Sequence, residues 1–359
     1  MLNYVLIFGL LLIATMVLYY LYDKYFTAKS KVSSETYVDA LKDLLDGRQE
    51  QAFSKLRQVV LEDSTNVDAY IRLGIILRDN NKPEQALQVH KDLTLRAGLA
   101  PEVKAEILKQ LYLDYILMEE FDTAEAALKE LVTIKPKNRW AVIKLLEMQK
   151  EQKKWDDAYN TAVQLLKIEE NKSKKPLASF KYEMGYQLFK KREYHKARIL
   201  FKEAIGYDNS YADAYLAIGD SYREEGRFED AVNFWNKLIS NVPDKGHLVI
   251  DRLKKVLFDL GRYGEVEQIC RNIMAHSPKN QIARHCLAEF YEKKGDTDLA
   301  EEILNSVIDD YPDDVKSVVE LIRIHLENND NQKIFSLLKS VNKKMQKKVV
   351  SKFPDLTSV

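Results

Sequence analysis

Alanine returns along this chain at Ala52, Ala86, Ala124, Ala158, Ala197, Ala231 and Ala300. The steps are 34, 38, 34, 39, 34 and 69 residues, the last wide enough for one further unit without the alanine. A fixed period of this length marks stacked supersecondary units and leaves little room for another architecture. With each alanine at position 20, units start at residues 33, 67, 105, 139, 178, 212, 247, 281 and 315. Gly47, Gly226, Gly261 and Gly295 then fall at position 15, joined by Asn81 and Asn329 in two more units. Both residue types suit a corner between helices where φ turns positive. Pro136, Pro243, Pro278 and Pro312 fall at position 32, where a second helix has to end. Pro101 and Pro176 sit in two wider gaps of the frame.

The unit from Ala212 shows the pattern most fully: Tyr215, Ile218, Gly219, Tyr222, Ala231, Trp235, Leu238 and Pro243. Small residues at positions 8 and 20 let two helices approach, and large ones fill the space beside them. This is the tetratricopeptide pattern of helix–turn–helix units. The expected fold is all-α, an α-solenoid of about nine such units over residues 33–348, ending in a tail over 349–359. Val266 and Ile334 replace the small residue in the two weaker units. Nine units use almost all of the 359 residues, so little chain is left for a separate catalytic domain.

Ahead of the repeats runs Leu2–Tyr22, LNYVLIFGLLLIATMVLYYLY, with Asn3 and Thr15 as its clearly polar members. As a helix it spans roughly 31 Å, the thickness of a bilayer's hydrocarbon core. A cleaved signal peptide needs a basic start, a shorter apolar run and a small-residue cleavage site, and these are missing. Tyr19, Tyr20, Tyr22, Tyr25 and Phe26 form an aromatic belt at its end. The expectation is a transmembrane anchor over 1–23 and a juxtamembrane linker over 24–32. Lys24, Lys29 and Lys31 follow the span while no Lys or Arg precedes it, which places the body in the cytoplasm.

Candidate chemistry is sparse. The sequence has no phosphate loop, dinucleotide fingerprint, HExxH helix or nucleophile elbow, so no enzyme activity and no cofactor are expected. Lys+Arg 55 balance Asp+Glu 55, which excludes a globally basic nucleic-acid binder. Cys270, His276, His285 and Cys286 come nearest to a metal cluster. Both cysteines fall on the helical packing pattern, so they read as small buried hydrophobes and no metal is expected. The paired acids Asp309–Asp310 and Asp313–Asp314 lie at a unit boundary and read as solvated charge.

A solenoid's first helices line a groove through positions 2, 5, 9 and 12. Those positions hold Tyr37, Leu41, Ile71, Ile75, Leu113, Ile116, Trp140, Ile143, Tyr182, Tyr186 and Phe189, a row suited to a partner helix or apolar peptide. From the sixth unit the row turns charged, with Asp213, Asp220, Arg223, Asp251, Lys255, Glu289 and Glu292. The competing reading is that neighbouring units simply pack over these positions. A clamp for a peptide's terminal carboxylate, built on Asn at position 9, is absent, since that position reads Leu41, Ile75, Leu113, Glu147 and Tyr186.

The apolar front, the basic linker and the run VDAYIRLGIILRDNNKPEQALQVHKDL at Val67–Leu93 resemble the lipopolysaccharide assembly protein B family. So do Tyr37, Leu44, Leu45, Gln51, Ala52 and LEDS at Leu61–Ser64, with Arg78, Ala86 and His90 the most diagnostic. The resemblance implies a scaffold in the bacterial inner membrane. Such a scaffold binds protein partners, here the membrane protease FtsH and the lipid A synthesis machinery, and so regulates lipopolysaccharide synthesis. That family ends in a zinc module with two CxxC pairs, whereas this chain ends NKKMQKKVVSKFPDLTSV without cysteine. The basic tail of Lys343, Lys344, Lys347, Lys348 and Lys352 reads as a solvated capping helix or as a contact for acidic lipid headgroups. The alternative is a generic tetratricopeptide scaffold for assembly of a secretion, pilus or other membrane complex.

Overall fold

The computed structural model describes residues 14–22 and 34–352, with 345–352 described by their backbone alone. Most of the expected span over 2–22, the linker over 24–32 and the residues beyond 352 lie outside this range. Residues 14–22 are helical, and Met16, Val17, Leu18, Tyr19, Tyr20, Leu21 and Tyr22 are exposed. No helix among the described residues is long and apolar enough to cross a membrane.

From residue 34 onward the described chain is helical, with no strand. It forms two compact units, Met1–Asn171 and Lys172–Val359. The first contains α1 (34–45), α2 (Gln49–Glu62), α3 (Val67–Asp79), α4 (Pro83–Thr94), α5 (Pro101–Leu117), α6 (Phe121–Ile134), α7 (Arg139–Glu151) and α8 (Trp155–Ile168). The second contains α9 (Ala178–Lys190), α10 (Tyr194–Tyr207), α11 (Ala212–Glu224), α12 (Phe228–Asn241), α13 (Ile250–Asp259), α14 (Glu265–His276), α15 (Gln281–Lys294), α16 (Thr297–Asp310), α17 (Val315–Glu327) and α18 (Asn331–Lys352). The expected starts hold to within a residue except in two repeats. In the third, Pro101 at the head of α5 starts the helix a turn before residue 105, the position where proline's missing N–H costs nothing. In the seventh, a 3₁₀ stretch over Pro243–Val249 delays α13 to Ile250.

Each pair turns through the same corner. Position 15 has positive φ in all nine repeats: Gly47, Asn81, Glu119, Lys153, Arg192, Gly226, Gly261, Gly295 and Asn329. The following residue donates its N–H to the carbonyl five residues back, as Lys82 does to Leu77 (2.9 Å) and Asp296 to Tyr291 (2.9 Å). This six-to-one bond satisfies a carbonyl left over at the helix end, and it requires the left-handed residue before it. The sequence signals glycine or asparagine at six of these corners but not Glu119, Lys153 and Arg192. There the left-handed conformation costs roughly 1–2 kcal/mol, which packing on both sides of the corner offsets. The prolines at position 32 each stand two residues past a helix, Pro136 after Ile134 and Pro278 after His276 among them. Asn66, Asn138, Asn280 and Asp314 cap the next helices, accepting from the N–H three residues on at 2.9–3.1 Å.

Inside three of the pairs, a glycine at position 8 of the first helix meets position 24 of the second. A Cβ on Gly74 would lie 2.3 Å from Nε2 of His90, and one on Gly219 2.2 Å from Nε1 of Trp235. Gly185 stands in the same relation to Phe201, at 2.8 Å. The alanines at position 20 are fully buried, and Val266 takes that place with 2% exposure. Charged pairs one period apart link successive repeats, as Arg252 with Asp220 (2.9 Å), Arg262 with Glu229 (2.5 Å) and Lys333 with Glu301 (3.0 Å).

Two alanine substitutions seven residues apart separate these effects. Gly219→Ala should destabilise by about 1–3 kcal/mol, because Trp235 must leave its place. Gly226→Ala should cost about 1 kcal/mol, since φ is 73° but a Cβ there meets nothing within 4 Å. Denaturant unfolding of both variants checks the order.

Candidate functional site

The eleven first-helix residues divide between the two units. Tyr37, Leu41, Ile71, Ile75, Leu113, Ile116, Trp140 and Ile143 belong to the first, and Tyr182, Tyr186 and Phe189 to the second. Within the first unit most are half-buried. Tyr37 donates to Asp68 and accepts from Nε of Arg72 at 3.2 Å, and burial together with the Asp68 bond raises its pKa. Trp140 meets Tyr112 edge to face at 5.6 Å, with the Lys109 ammonium 5.6 Å from its ring centre. Ile75, Leu113 and Ile116 lean against the same apolar cluster. Ile71 is only 4% exposed and belongs to that cluster, so it presents no surface to a partner.

Arg78 and His90 are also interior. His90 and Asp114 are fully buried, with Nδ1 of His90 2.5 Å from Asp114 and Nε2 facing the Ile71 carbonyl at 3.2 Å. Arg78 donates to the other Asp114 oxygen at 3.0 Å and to the Gln110 side chain at 2.7 Å. Three successive helices, α3, α4 and α5, are joined by one carboxylate. Gly74 leaves the space the imidazole fills.

In the second unit the aromatic row is open. Tyr182 stacks on Tyr186 at 5.9 Å, and Tyr186 on Phe189 at 6.0 Å. Tyr182 also touches Phe201 and Tyr211, each at 5.6 Å, while Tyr186 remains 36% exposed. These three rings from α9 line a cavity of about 320 Å³ whose far wall is Asp213, Leu216, Ala217, Asp220, Arg223 and Glu224 of α11, closed by Arg252 of α13. The aromatic row and the first charged positions after it thus face one space. Asp220 pairs with Arg252 at 2.9 Å and Arg223 at 3.7 Å, and Arg223 with Glu224 at 2.8 Å. Asp213 is exposed and has neither hydrogen-bond nor ion-pair partner among the described residues. Burial, and then the negative charge of Asp213 and Glu183, push the Tyr211 hydroxyl up to about 12 and that of Tyr182 higher still. Farther along, Glu289 pairs with Lys254 and Lys293, and Glu292 with Arg323. A wider depression of about 810 Å³ lies at the corners around Glu119, Phe121 and Gln152, away from the row.

Of the residues considered for a metal, the two cysteines meet while the two histidines take other partners. Among the described residues no group of three or more His, Cys, Asp or Glu is arranged to hold an ion. Cys270 and Cys286 are buried in the second unit's core. The bond from the Cys270 thiol to the Cys286 sulfur, with burial, raises the Cys270 pKa far above its usual range. His276 faces the Asn272 carbonyl at 3.0 Å. His285 lies between Asp314 (3.0 Å) and Glu320 (3.2 Å). The paired acids do more than meet solvent. Asp310 binds Lys279 and Arg284, and Asp314 caps α17 as well as holding His285. In the basic C-terminal stretch, Lys344 pairs with Asp309, and the side chains of Lys347, Lys348 and Lys352 lie outside the described residues.

Repeated helix pairs with a left-handed corner run through the described residues, and residues 182–245 and 257–323 match the tetratricopeptide repeat. The chain is similar to lipopolysaccharide assembly protein B. To that protein from Escherichia coli K12 it is 22% identical over 279 residues, covering 78% of this chain and 72% of the relative. To its Haemophilus influenzae counterpart it is 24% identical over 242 residues, 65% of this chain and 61% of that one. A tetratricopeptide repeat protein from Parabacteroides merdae aligns with 72% of this chain and 98% of its own, at 14% identity and a TM-score of 0.36.

Replacing Asp114 with Ala should cost about 3–5 kcal/mol of stability, because it takes the carboxylate from a mostly buried guanidinium and a buried imidazole. Equilibrium unfolding measures this. The loss should exceed that from any exposed ion pair of the chain, which is worth about 1 kcal/mol or less.

Proposed function

We infer that the chain is a non-enzymatic adaptor that holds protein partners on its first-helix rows and is tethered to a membrane by residues 2–22. The open aromatic shelf of Tyr182, Tyr186 and Phe189 carries this reading: three large rings line a cavity, and one of them stays exposed. Aromatic side chains give the most burial per residue and keep a polar handle, which is why they anchor interfaces. The likeness to lipopolysaccharide assembly protein B supports a place in lipopolysaccharide assembly, with a membrane protease such as FtsH and the lipid A synthesis machinery as partners. The apolar run over 2–22 and the three lysines after it support a single span with the body in the cytoplasm of a bacterial inner membrane.

Affinity capture from intact cells tests the partners. Recovery of lipid A enzymes or a membrane protease agrees with this reading, whereas secretion or pilus subunits favour a generic assembly scaffold. Tyr186→Ala should weaken the captured interaction by about 1–3 kcal/mol, in the range of an interface aromatic. Its unfolding free energy should stay within about 1 kcal/mol of wild type, because the ring is 36% exposed. A large loss of stability with unchanged affinity of the folded fraction rejects the groove. For the tether, a reporter fused after Val359 should be active as a cytoplasmic marker, and activity of a periplasmic reporter there overturns the topology.

A further inference from the structure

Resting on the reading that the first-helix row takes protein partners, the geometry points to a specific subsite: the cavity between α9 and α11 takes a cationic side chain of the partner, arginine before lysine, presented from an apolar segment.

Size comes first. At about 320 Å³ the cavity is at the small end of ligand sites, suited to one long side chain and not to a whole helix. Its walls then set the chemistry. On the α9 side are the rings of Tyr182, Tyr186 and Phe189, and an aromatic quadrupole attracts cations. Tyr186 already carries the Lys190 ammonium 4.7 Å from its ring centre, so a ring of this shelf accepts a cation in the folded chain.

Charge is distributed unevenly along the cavity. At its α13 end, Asp220, Glu224, Arg223 and Arg252 neutralise one another, and Arg252 also donates to the Leu248 carbonyl at 3.1 Å. An incoming anion finds both guanidiniums engaged. On the α11 wall Asp213 has no hydrogen-bond or ion-pair partner among the described residues. The cavity therefore has aromatic rings on one wall and, on the other, a carboxylate without a hydrogen-bond or ion-pair partner among the described residues. A planar guanidinium can stack on the first and hydrogen-bond the second, which a compact ammonium does less well. Leu216 and Ala217 complete the wall against the apolar part of the segment.

Asp213 also lies in the first turn of α11, where any carboxylate favours the helix dipole. That role affects stability alone, so a binding readout distinguishes the two.

The test uses the full chain in detergent and three dye-labelled peptides with the core Ala-Leu-Xaa-Leu-Ala, where Xaa is arginine, its neutral isostere citrulline, or glutamate. Fluorescence anisotropy should show the arginine peptide binding about tenfold more tightly than the citrulline one, with the glutamate peptide weakest. Asp213→Asn should remove most of the arginine preference and leave the citrulline affinity in place, with the melting curve lowered only by the lost charge at the helix N-terminus. An arginine peptide that binds no better than citrulline, or does not bind, overturns the subsite, as does a preference that survives Asp213→Asn. Equal binding of all three peptides that Tyr186→Ala abolishes rejects the cation preference and leaves the groove standing. Equal binding that Tyr186→Ala leaves untouched removes the groove as well.

Discussion

The left-handed corner at position 15 is the constraint from which the rest of the fold follows. One residue with φ between 57° and 92° lets the next N–H reach back five residues, which ends the first helix and aims the second. With that angle set, position 8 faces position 24 in three of the pairs, where a glycine at the first makes room for a large ring at the second. Gly74 with His90, Gly185 with Phe201 and Gly219 with Trp235 are three settlements of the same volume. The first of them does further work. It seats an imidazole where Asp114 and the Ile71 carbonyl hold it, so a backbone requirement becomes a polar link across three helices.

That link bears on the family likeness. Arg78 and His90, the residues that distinguish this sequence from generic tetratricopeptide units, are interior and share the carboxylate of Asp114. They fix how the second helix pair meets α5. The surface proposed for a partner is a different one, formed by the rings of α9 and the charges of α11, whose arrangement depends on how these two helices stand to each other.

Much of this was legible from residue spacing. The alanine period located the helix pairs, and the prolines located their ends. The corners at Glu119, Lys153 and Arg192 were hidden because glycine and asparagine are merely the least costly residues for positive φ, and packing imposes it on others. Periodicity also states which way a side chain faces but not what stands before it. Ile71 is in register with the groove row yet is covered by the cluster around α5. Tyr182, Tyr186 and Phe189 share that register, and Tyr186 among them stays exposed. The rings and Asp213 were both visible as rows, but their meeting in one cavity depends on the separation of two helices, which no single-helix pattern encodes. The division after Asn171 likewise showed only as a widened spacing near Pro176.

The charged pairs one period apart have a kinetic meaning. Arg252 with Asp220, Arg262 with Glu229 and Arg323 with Glu292 each close a stretch of about one repeat, as do the apolar contacts between successive helices. No contact of this kind asks remote parts of the chain to find each other. The entropy of closing each loop is therefore nearly the same at every step, and contact order stays low despite the length of the chain. Each compact unit can grow by accretion, one helix pair templating the next, and can fray from an end without losing its middle. A chain built this way can present its first repeats as folded surfaces while later ones are still being synthesised.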